Sequence, residues 1–380
     1  MYILIVSRGV PSAKYKTNGI FEFDQARALA KAGCKVVYAA VDVRSIRRWR
    51  KWGFEHCVMD GVEVYIINIP VGRVPKGILH SIAKTGLNVL YNRIEREHGR
   101  PDILHTHFAE SGYISSVLRK RLNIPFIITE HSSGLMKNSI DKSLYLTAKK
   151  AYTKVDFIIA VSPALKEVIE KRFEISAKYI PNIVDTSIFD YKEEYKKEYK
   201  KDKIYRFVST GSLIYRKRMD MIIEAVHRGF RDNINVTLTI FGEGEERPVL
   251  EKLIDSYNLN DRVKLMGVQS RKEIAKALKG SDCFVLPSRF ETFGVAYIEA
   301  LASGIPVIAT KCGGPESFMN KSNGLLIPTD DIKSLISAMQ YIYKHGSSFD
   351  SGKISDDIKE KFSPEKIAGE LIEVYKKVKR

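Results

Sequence analysis

The chain alternates short, nearly unbroken apolar runs with stretches of helical pattern, and few folds accept that alternation. YILIVS (2–7), KVVYAA (35–40), VEVYIINI (62–69), DILHTH (102–107), PFIITEH (125–131) and DFIIAVS (156–162) each read as a buried strand. Strands that are apolar on both faces belong to a parallel sheet covered by helices on both sides. Segments such as FEFDQARALAKAG (21–33), closed by Gly33, and SGYISSVLRKRLN (111–123) supply that cover. A charged run without an apolar stripe, DYKEEYKKEYKKDK (190–203), reads as a linker or a solvated helix. The alternation then resumes with YRFVSTG (205–211), VTLTIFG (236–242), VKLMG (263–267), CFVLPS (283–288) and IPVIAT (305–310). In the last segment Pro364 follows Ser363 as first helical residue after its N-cap, so 364–380 reads as a helix. At 380 residues the chain exceeds the size at which one core usually divides. These features predict an α/β chain of two doubly wound parallel-sheet domains, 1–183 and 184–363, facing each other across a cleft. Helix 364–380 is expected to pack back on the first.

Composition narrows the function classes. The net charge is +17, and it is uneven: residues 1–150 hold 24 Lys and Arg against 12 Asp and Glu, a net of +12, which leaves +5 for the rest. A positive first half suits an anionic partner, such as nucleic acid, a phospholipid surface or a phosphorylated substrate, or else is a solubilising surface. Cys34, Cys57, Cys283 and Cys312 lie far apart with no CxxC spacing, which fits reduced thiols and neither a disulfide framework nor a zinc site. MYILIVSRG has no basic segment before its apolar run and reads as a first strand, not a signal peptide, and no run is long enough to span a membrane. A cytoplasmic protein is expected.

Ligands of open α/β sheets bind outside the carboxyl ends of the strands. Gly19, Gly211, Gly242, Gly267 and Ser288 all follow strands there, although Gly242-Glu243-Gly244 lacks the third glycine of a dinucleotide fingerprint. More specific is RFETFGVAYIEALASGIPVIAT (289–310). It reads as a loop and then a helix ending at Gly304, so the amides of Phe293, Gly294 and Val295 become unpaired donors suited to a phosphate. Gly294 lets that backbone approach a ligand closely. Glu299 lies about one turn further, and its side chain leans back towards the same place. Carboxylates repel phosphate, so Glu291 and Glu299 suit neutral hydroxyls on either side of a diphosphate, which describes a nucleotide sugar. Alternatively, both are helix-terminus carboxylates favoured by the helix dipole.

The same stretch resembles the E-x7-E signature of the family 4 retaining glycosyltransferases, which have the GT-B fold. The resemblance extends to TGSLIYRKRMDMIIEAV (210–226), IFGEGEERPVLEKLI (240–254), KCGGPESFMNKSNGLLIPTDD (311–331) and YIPNIVDTSIF (179–189). It implies that Glu291 and Thr292 meet the donor sugar side and Glu299 the ribose, that the amides at 293–295 hold the diphosphate, and that Lys217 contacts it. Gly19, Ser212, Gly242 and Val268 fall at further donor-binding positions. The family's arginine after the segment's first glycine is Ser212 here, and Arg216 is expected to supply that charge. His131 matches a histidine near the donor sugar and reaction centre. His107 is expected on the acceptor side, and His105 in the sheet packing.

No carboxylate is placed as a glycosyl nucleophile and no DxD-like metal motif lies near the strand ends, so the resemblance implies metal-independent transfer with retention, in which the leaving phosphate accepts the acceptor's proton. No cofactor beyond the donor is expected. The segment DVRSIRRWRKWGFEH (42–56) sets Arg44, Arg47, Arg48, Arg50 and Lys51 around Trp49, Trp52 and Phe54. That mixture suits an anionic membrane surface, and it could also stack on RNA. The expected partners are a nucleotide sugar, a glycan or lipid-linked acceptor and the inner face of the cell membrane, and not nucleic acid. A sugar-nucleotide epimerase of the same architecture is the rival enzyme, and a basic nucleic-acid-binding protein the rival without catalysis.

Overall fold

The computed structural model describes residues 1–12, 18–45, 51–137, 139–194 and 204–379. The chain divides into two compact units, Met1–Ile183 with Pro364–Arg380, and Val184–Ser363. The first contains β1 (Tyr2–Ser7), α1 (Ile20–Lys31), β2 (Lys35–Ser45), β3 (Gly53–Met59), β4 (Val62–Val71), α2 (Lys76–His98), β5 (Ile103–His107), α3 (Phe108–Leu122), β6 (Phe126–Glu130), α4 (Lys142–Tyr152), β7 (Phe157–Ala160), α5 (Pro163–Phe173) and β8 (Lys178–Tyr179). The second contains β9 (Tyr205–Thr210), α6 (Met219–Gly229), β10 (Val236–Phe241), α7 (Arg247–Ser256), β11 (Val263–Leu265), α8 (Arg271–Lys279), β12 (Cys283–Leu286), α9 (Val295–Ala302), β13 (Val307–Thr310), β14 (Gly324–Ile327), α10 (Ile332–His345) and α11 (Ser351–Phe362). The final helix, α12 (Pro364–Lys379), returns to the first unit.

The sheet of the first unit has the order β3-β4-β2-β1-β5-β6-β7-β8, and that of the second β11-β10-β9-β12-β13-β14. Every neighbouring pair is parallel except β3 with β4. The α/β class therefore holds, with three strands beyond those expected, β3, the two-residue β8 and β14. GLLI, within the 311–331 segment and not among the expected strands, forms β14 beside β13. The segment 42–56, read as one basic surface stretch, is divided: Arg44 ends inside β2 with its Nε 2.7 Å from Asp42, and Phe54 begins the antiparallel edge strand β3. β3 escaped the reading because most of it is exposed and carries no apolar face. Its hairpin is closed by Asp60-Gly61, both at positive φ, the pairing that a two-residue type I′ turn requires. Arg47, Arg48, Trp49 and Arg50 lie outside the described residues; Lys51 and Trp52 immediately precede β3.

One face of the first sheet is closed by α1 and α12 together. Ile3, Ile5 and Tyr38 from the strands meet Phe23 and Leu29 of α1 and Ile367, Leu371 and Tyr375 of α12 in one buried cluster. The opening of the charged run is anchored in the second unit, where Asp190 pairs with Lys279 at 2.6 Å; residues 195–203 lie outside the described residues. Among the described residues, no helix is long and apolar enough to cross a membrane.

Because Leu371 has no exposed surface, Leu371→Ala should remove about 2–5 kcal/mol from the first unit. Trp49 and Trp52 both belong to that unit's part of the chain, so denaturant unfolding followed by tryptophan fluorescence reads it selectively. A midpoint equal to that of the wild type would show that α12 is not part of this core.

Candidate functional site

In the second unit β9 is the strand from which the chain winds both ways, with β10 on one side and β12 on the other. The loops that leave β9 and β12 thus part at adjacent strand ends, where open sheets bind ligands. The β9 loop passes through Gly211 and the exposed Ser212 into a short turn, Tyr215–Lys217. The β12 loop carries Ser288 to Glu291, and Arg289 N donates to Arg216 O at 2.8 Å, tying the two loops together. Arg289 also lies 4.1 Å above the Tyr215 ring and reaches Asp330 at 2.9 Å, and Arg218 pairs with the same Asp330.

That arrangement brings Lys217 to Glu291. Lys217 Nζ donates to Glu291 Oε1, Ser288 Oγ donates to the same oxygen at 2.7 Å, and Arg216 Nη1 lies 3.7 Å from Oε2. Glu291 is buried, with its amide bonded to Cys312 O at 3.1 Å. Burial by itself would push the carboxyl pKa up, but the charge and hydrogen bond of Lys217, then Arg216 and Ser288, outweigh it and hold the group below the usual carboxylate range. Arg216 also donates to Phe290 O at 3.2 Å and lies 5.1 Å above that ring. The expected second cation is therefore beside the same carboxylate.

Helix α9 starts at Val295, and its first amides have no acceptor within the helix. Gly294 has φ 94°, and a Cβ there would collide with the Tyr297 ring, so the backbone demands glycine before any ligand is considered. Thr292 and Val295 are buried. The Phe293 side chain is buried edge-on against Phe318 and Phe362, at 5.4 and 5.7 Å, which leaves only its backbone for a ligand. Glu299, expected as an open acceptor for hydroxyls, is already held: Arg271 Nη2 and Nε reach its Oε1 at 3.0 and 3.2 Å. Arg271 was missed in the sequence because it opens α8 inside a Ser270–Glu273 capping box and meets Glu299 only through tertiary packing. Gly242 and Val268 lie at the carboxyl ends of β10 and β11, where Gly242 N bonds to Gly267 O at 2.9 Å and Val268 is exposed. They share that edge of the sheet with Ser212.

The first unit presents a second set. Gly19, at φ 69°, caps α1 and crosses so close to Gly9 that a Cβ would strike the Gly9 carbonyl. His131 follows β6, and its Nε2 lies 3.0 Å from Nδ1 of His107. His107 was expected on an acceptor surface but is wholly buried, stacked between His105 at 4.8 Å and His131 at 5.3 Å. His105 packs within the sheet, bonded to Tyr375 and Thr129 at 2.7 Å each. Burial lowers the His131 pKa to about 3, with His105 and Arg8 adding to the shift. The unforeseen residue here is Glu130. Its buried carboxylate accepts from the amides of Ala109, His131 and Ser132 at 2.8–2.9 Å and from Tyr152 Oη at 2.7 Å, which fixes both loops around His131. Among the described residues, no group of three His, Cys, Asp or Glu is placed to hold a metal ion.

Residues 190–379 match the family model described as glycosyl transferases group 1, and residues 23–188 match that of Glycosyltransferase Family 4. The chain belongs to the glycosyl transferases group 1 family. An uncharacterized glycosyltransferase of Methanocaldococcus jannaschii is 29% identical over 325 residues, covering 83% of this chain and 85% of that protein. Sucrose-phosphate synthase from Thermosynechococcus elongatus superposes with a TM-score of 0.82 at 23% identity, over 99% of this chain and 98% of the other. HepE of Anabaena, solved in complex with UDP, gives 0.74 at 16% identity over 99% and 100%. The fold of this glycosyltransferase is accordingly GT-B.

The depressed pKa of Glu291 makes a signed prediction. Its stabilising contribution is present above the unfolded value near 4.5 and is lost as pH falls through the lower folded value. Lys217→Ala leaves a buried carboxylate short of its main partner and should cost this glycosyltransferase about 3–5 kcal/mol at pH 7. The deficit should shrink below about pH 4.5, where the protonated carboxyl no longer needs the cation. Denaturant unfolding by far-ultraviolet circular dichroism across pH 3.5–7 checks this. A deficit that does not vary with pH would dismiss the ion pair as its cause.

Proposed function

We propose that this glycosyltransferase is a metal-independent, retaining enzyme of the hexosyltransferase type. It moves a sugar from a UDP- or GDP-sugar to a glycan or lipid-linked acceptor in the synthesis of cell-surface polysaccharide or glycoconjugates. The observation that carries this reading is the buried Glu291 carboxylate with Lys217 and Arg216 on its two oxygens. A diphosphate entering there takes the two cations, and the released carboxylate accepts hydrogen bonds from hydroxyls of the transferred sugar. The first amides of α9 hold the diphosphate, and Glu299, steadied by Arg271, faces the ribose. The positive groups then stabilise the charge that develops on the departing diphosphate, a preorganised electrostatic effect that needs no metal. The phosphate oxygen takes the acceptor's proton on the face it leaves, which gives retention. His131 is assigned to the transferred sugar.

UDP-sugars are the first donors to assay, since HepE was solved with UDP. Slow hydrolysis of one UDP- or GDP-sugar is expected. Glu291→Gln should lower it by at least ~10²-fold, the scale for one preorganised electrostatic group, and EDTA should leave it unchanged. Inversion at C2 of the donor sugar would favour the epimerase instead. Full activity in Glu291→Gln, or activity that needs Mg²⁺ or Mn²⁺, would overturn the site as drawn.

We also propose that the segment around Arg47, Arg48, Trp49, Arg50, Lys51 and Trp52 docks on the anionic inner face of the cell membrane. Each basic residue near such a surface contributes on the order of 1 kcal/mol, weakened by salt. Changing Arg47, Arg48, Arg50 and Lys51 together to Ser should release the protein from anionic vesicles in co-sedimentation while donor hydrolysis is kept. Equal sedimentation of variant and wild type at every salt concentration would remove the membrane from the account.

A further inference from the structure

One residue of the first unit holds a backbone conformation that its side chain resists. Seven non-glycine residues have positive φ among the described residues, and six of them are polar or charged and sit in turns or at helix ends. The seventh is Phe108, at φ 69°, where a bulky side chain is a genuine outlier. It opens α3 directly after β5, and the next amide, Ala109 N, is held by the buried Glu130 at 2.8 Å. A left-handed residue between a strand and its helix stands up from the sheet edge, as in folds that expose a reactive group there. Here the group raised is a ring, and what it carries is Arg8. The register that sets Val6 opposite Thr106 brings Arg8 opposite Phe108, and the guanidinium lies 4.0 Å above the ring. His131 meets the same ring at 5.1 Å.

Arg8 keeps 49% of its side chain exposed, and its carboxylate neighbour, Glu110, stands 3.9 Å away, too far for a hydrogen bond. Glu110 also faces His80 at 3.3 Å, and the His80 ring meets Tyr113 at 5.2 Å. Beyond lie two ammonium groups around one phenol: Lys84 Nζ is 3.6 Å and Lys150 Nζ 5.9 Å from the Tyr113 ring centre. Neither lysine has a carboxylate partner among the described residues. Lys84, by bonding and charge, then Lys150 and Lys154, hold the Tyr113 phenol below its usual pKa, so the positive field there is not cancelled. Cations from the end of β1, from α2 and from α4 thus gather along α3, with Glu110 between them. Like charges held together repel, and an anion placed among them relieves that cost.

We infer that this row is an anion-binding site, in which Arg8, seated on Phe108, and Lys84 and Lys150, gathered around Tyr113, take a phosphate-bearing ligand. The guanidinium offers a fork to phosphate oxygens, the ammonium groups act as point charges, and the Tyr113 hydroxyl can donate between them. The site deepens the proposed transfer and rests on it in one respect. With His131 on the transferred sugar and the donor's diphosphate in the second unit, the phosphate bound here belongs to the acceptor. A lipid diphosphate and a soluble sugar phosphate offer the same group. The anion site itself does not depend on that assignment.

The test is lysine footprinting of the full chain with an acetylating reagent, read residue by residue by mass spectrometry at constant ionic strength. Inorganic pyrophosphate at twice its dissociation constant should slow acetylation of Lys84 and Lys150 by ~3-fold. Lys353, whose side chain is 87% exposed, should react as before. Arg8→Gln and Phe108→Gly should each raise the half-protecting concentration about 3–10-fold, the range for one charged contact to a half-exposed anion. Glycine accepts φ 69° without strain, so the second change removes the seat of Arg8 and spares the turn. Protection by phosphatidylcholine vesicles containing diacylglycerol diphosphate, and not by vesicles without it, identifies a lipid source; protection by glucose 1-phosphate identifies a soluble one, and either supports the site. Equal slowing of Lys84, Lys150 and Lys353 would mark general screening and overturn the inference, as would no slowing at all. Unchanged protection in folded Arg8→Gln and Phe108→Gly would also overturn it, because the row would not act as one site. The wild-type footprint decides the matter where a variant fails to fold. It needs no turnover, so its failure is separate from that of the transfer reading, which shows in donor hydrolysis.

Discussion

Parallel strands can be joined only by crossovers, and nearly all crossovers are right-handed, so a chain that changes winding direction must open a gap where its loops part. β9 is one such strand, and β1, between β2 and β5, is another. The loop after β9 and the loop after β12 reach the sheet edge side by side although Lys217 and Glu291 are 74 residues apart. At β1 the loop bearing Gly9 and Gly19 flanks the β5 end, with β6 and His131 one strand further. Both candidate sets lie at, or within a strand or two of, the point in each sheet where the winding reverses. The topology selects the location; the residues then decide the chemistry.

Two of the buried carboxylates, Glu130 and Glu291, are satisfied in opposite ways. Glu130 has no cation among its bonded partners and takes three amides and a tyrosine hydroxyl, all neutral and all fixed by the fold. Burial accordingly raises its pKa. Glu291 takes a lysine, with an arginine close by, and is held as an anion. Neutral donors fixed in the backbone cannot be exchanged for a ligand without unfolding the loop. A lysine on a flexible stem can turn to a new anion without moving the backbone. Glu130 therefore builds structure, and on the proposed reading Glu291 is the one whose cation a ligand can take.

Most of the sheet was legible in the sequence because doubly buried strands must be apolar throughout, and such runs at this spacing have few other readings. β3 was not, since an exposed edge strand such as GFEHCVM shows no apolar face, and only Asp60-Gly61 betrays its hairpin. Glu291 and Lys217 were visible as residues, but their mutual pairing was not, because it depends on the strand order. Arg271 was hidden for the same reason: nothing in QSRKE indicates that its guanidinium crosses to Glu299. Gly294 was singled out for a ligand's approach, yet its φ and the Tyr297 ring already require it. His107 alternates with His105 along β5, and alternation alone does not show that both faces of that strand are sealed.

On the proposed reading, the Lys217–Glu291 pair also governs which ligands are refused. An inorganic phosphate can take Lys217 and Arg216, but it leaves Glu291 buried without its cation, and an uncompensated buried charge is costly. A free sugar can offer hydroxyls to Glu291, but it competes with a charged partner already in place and gives Lys217 nothing in return. Only a molecule that carries an anion and hydroxyls at the right separation satisfies both halves of the broken pair at once. Discrimination of this kind comes from the groups a wrong ligand would strand more than from the contacts it would make. The pair therefore keeps the empty site satisfied and sets the condition for filling it.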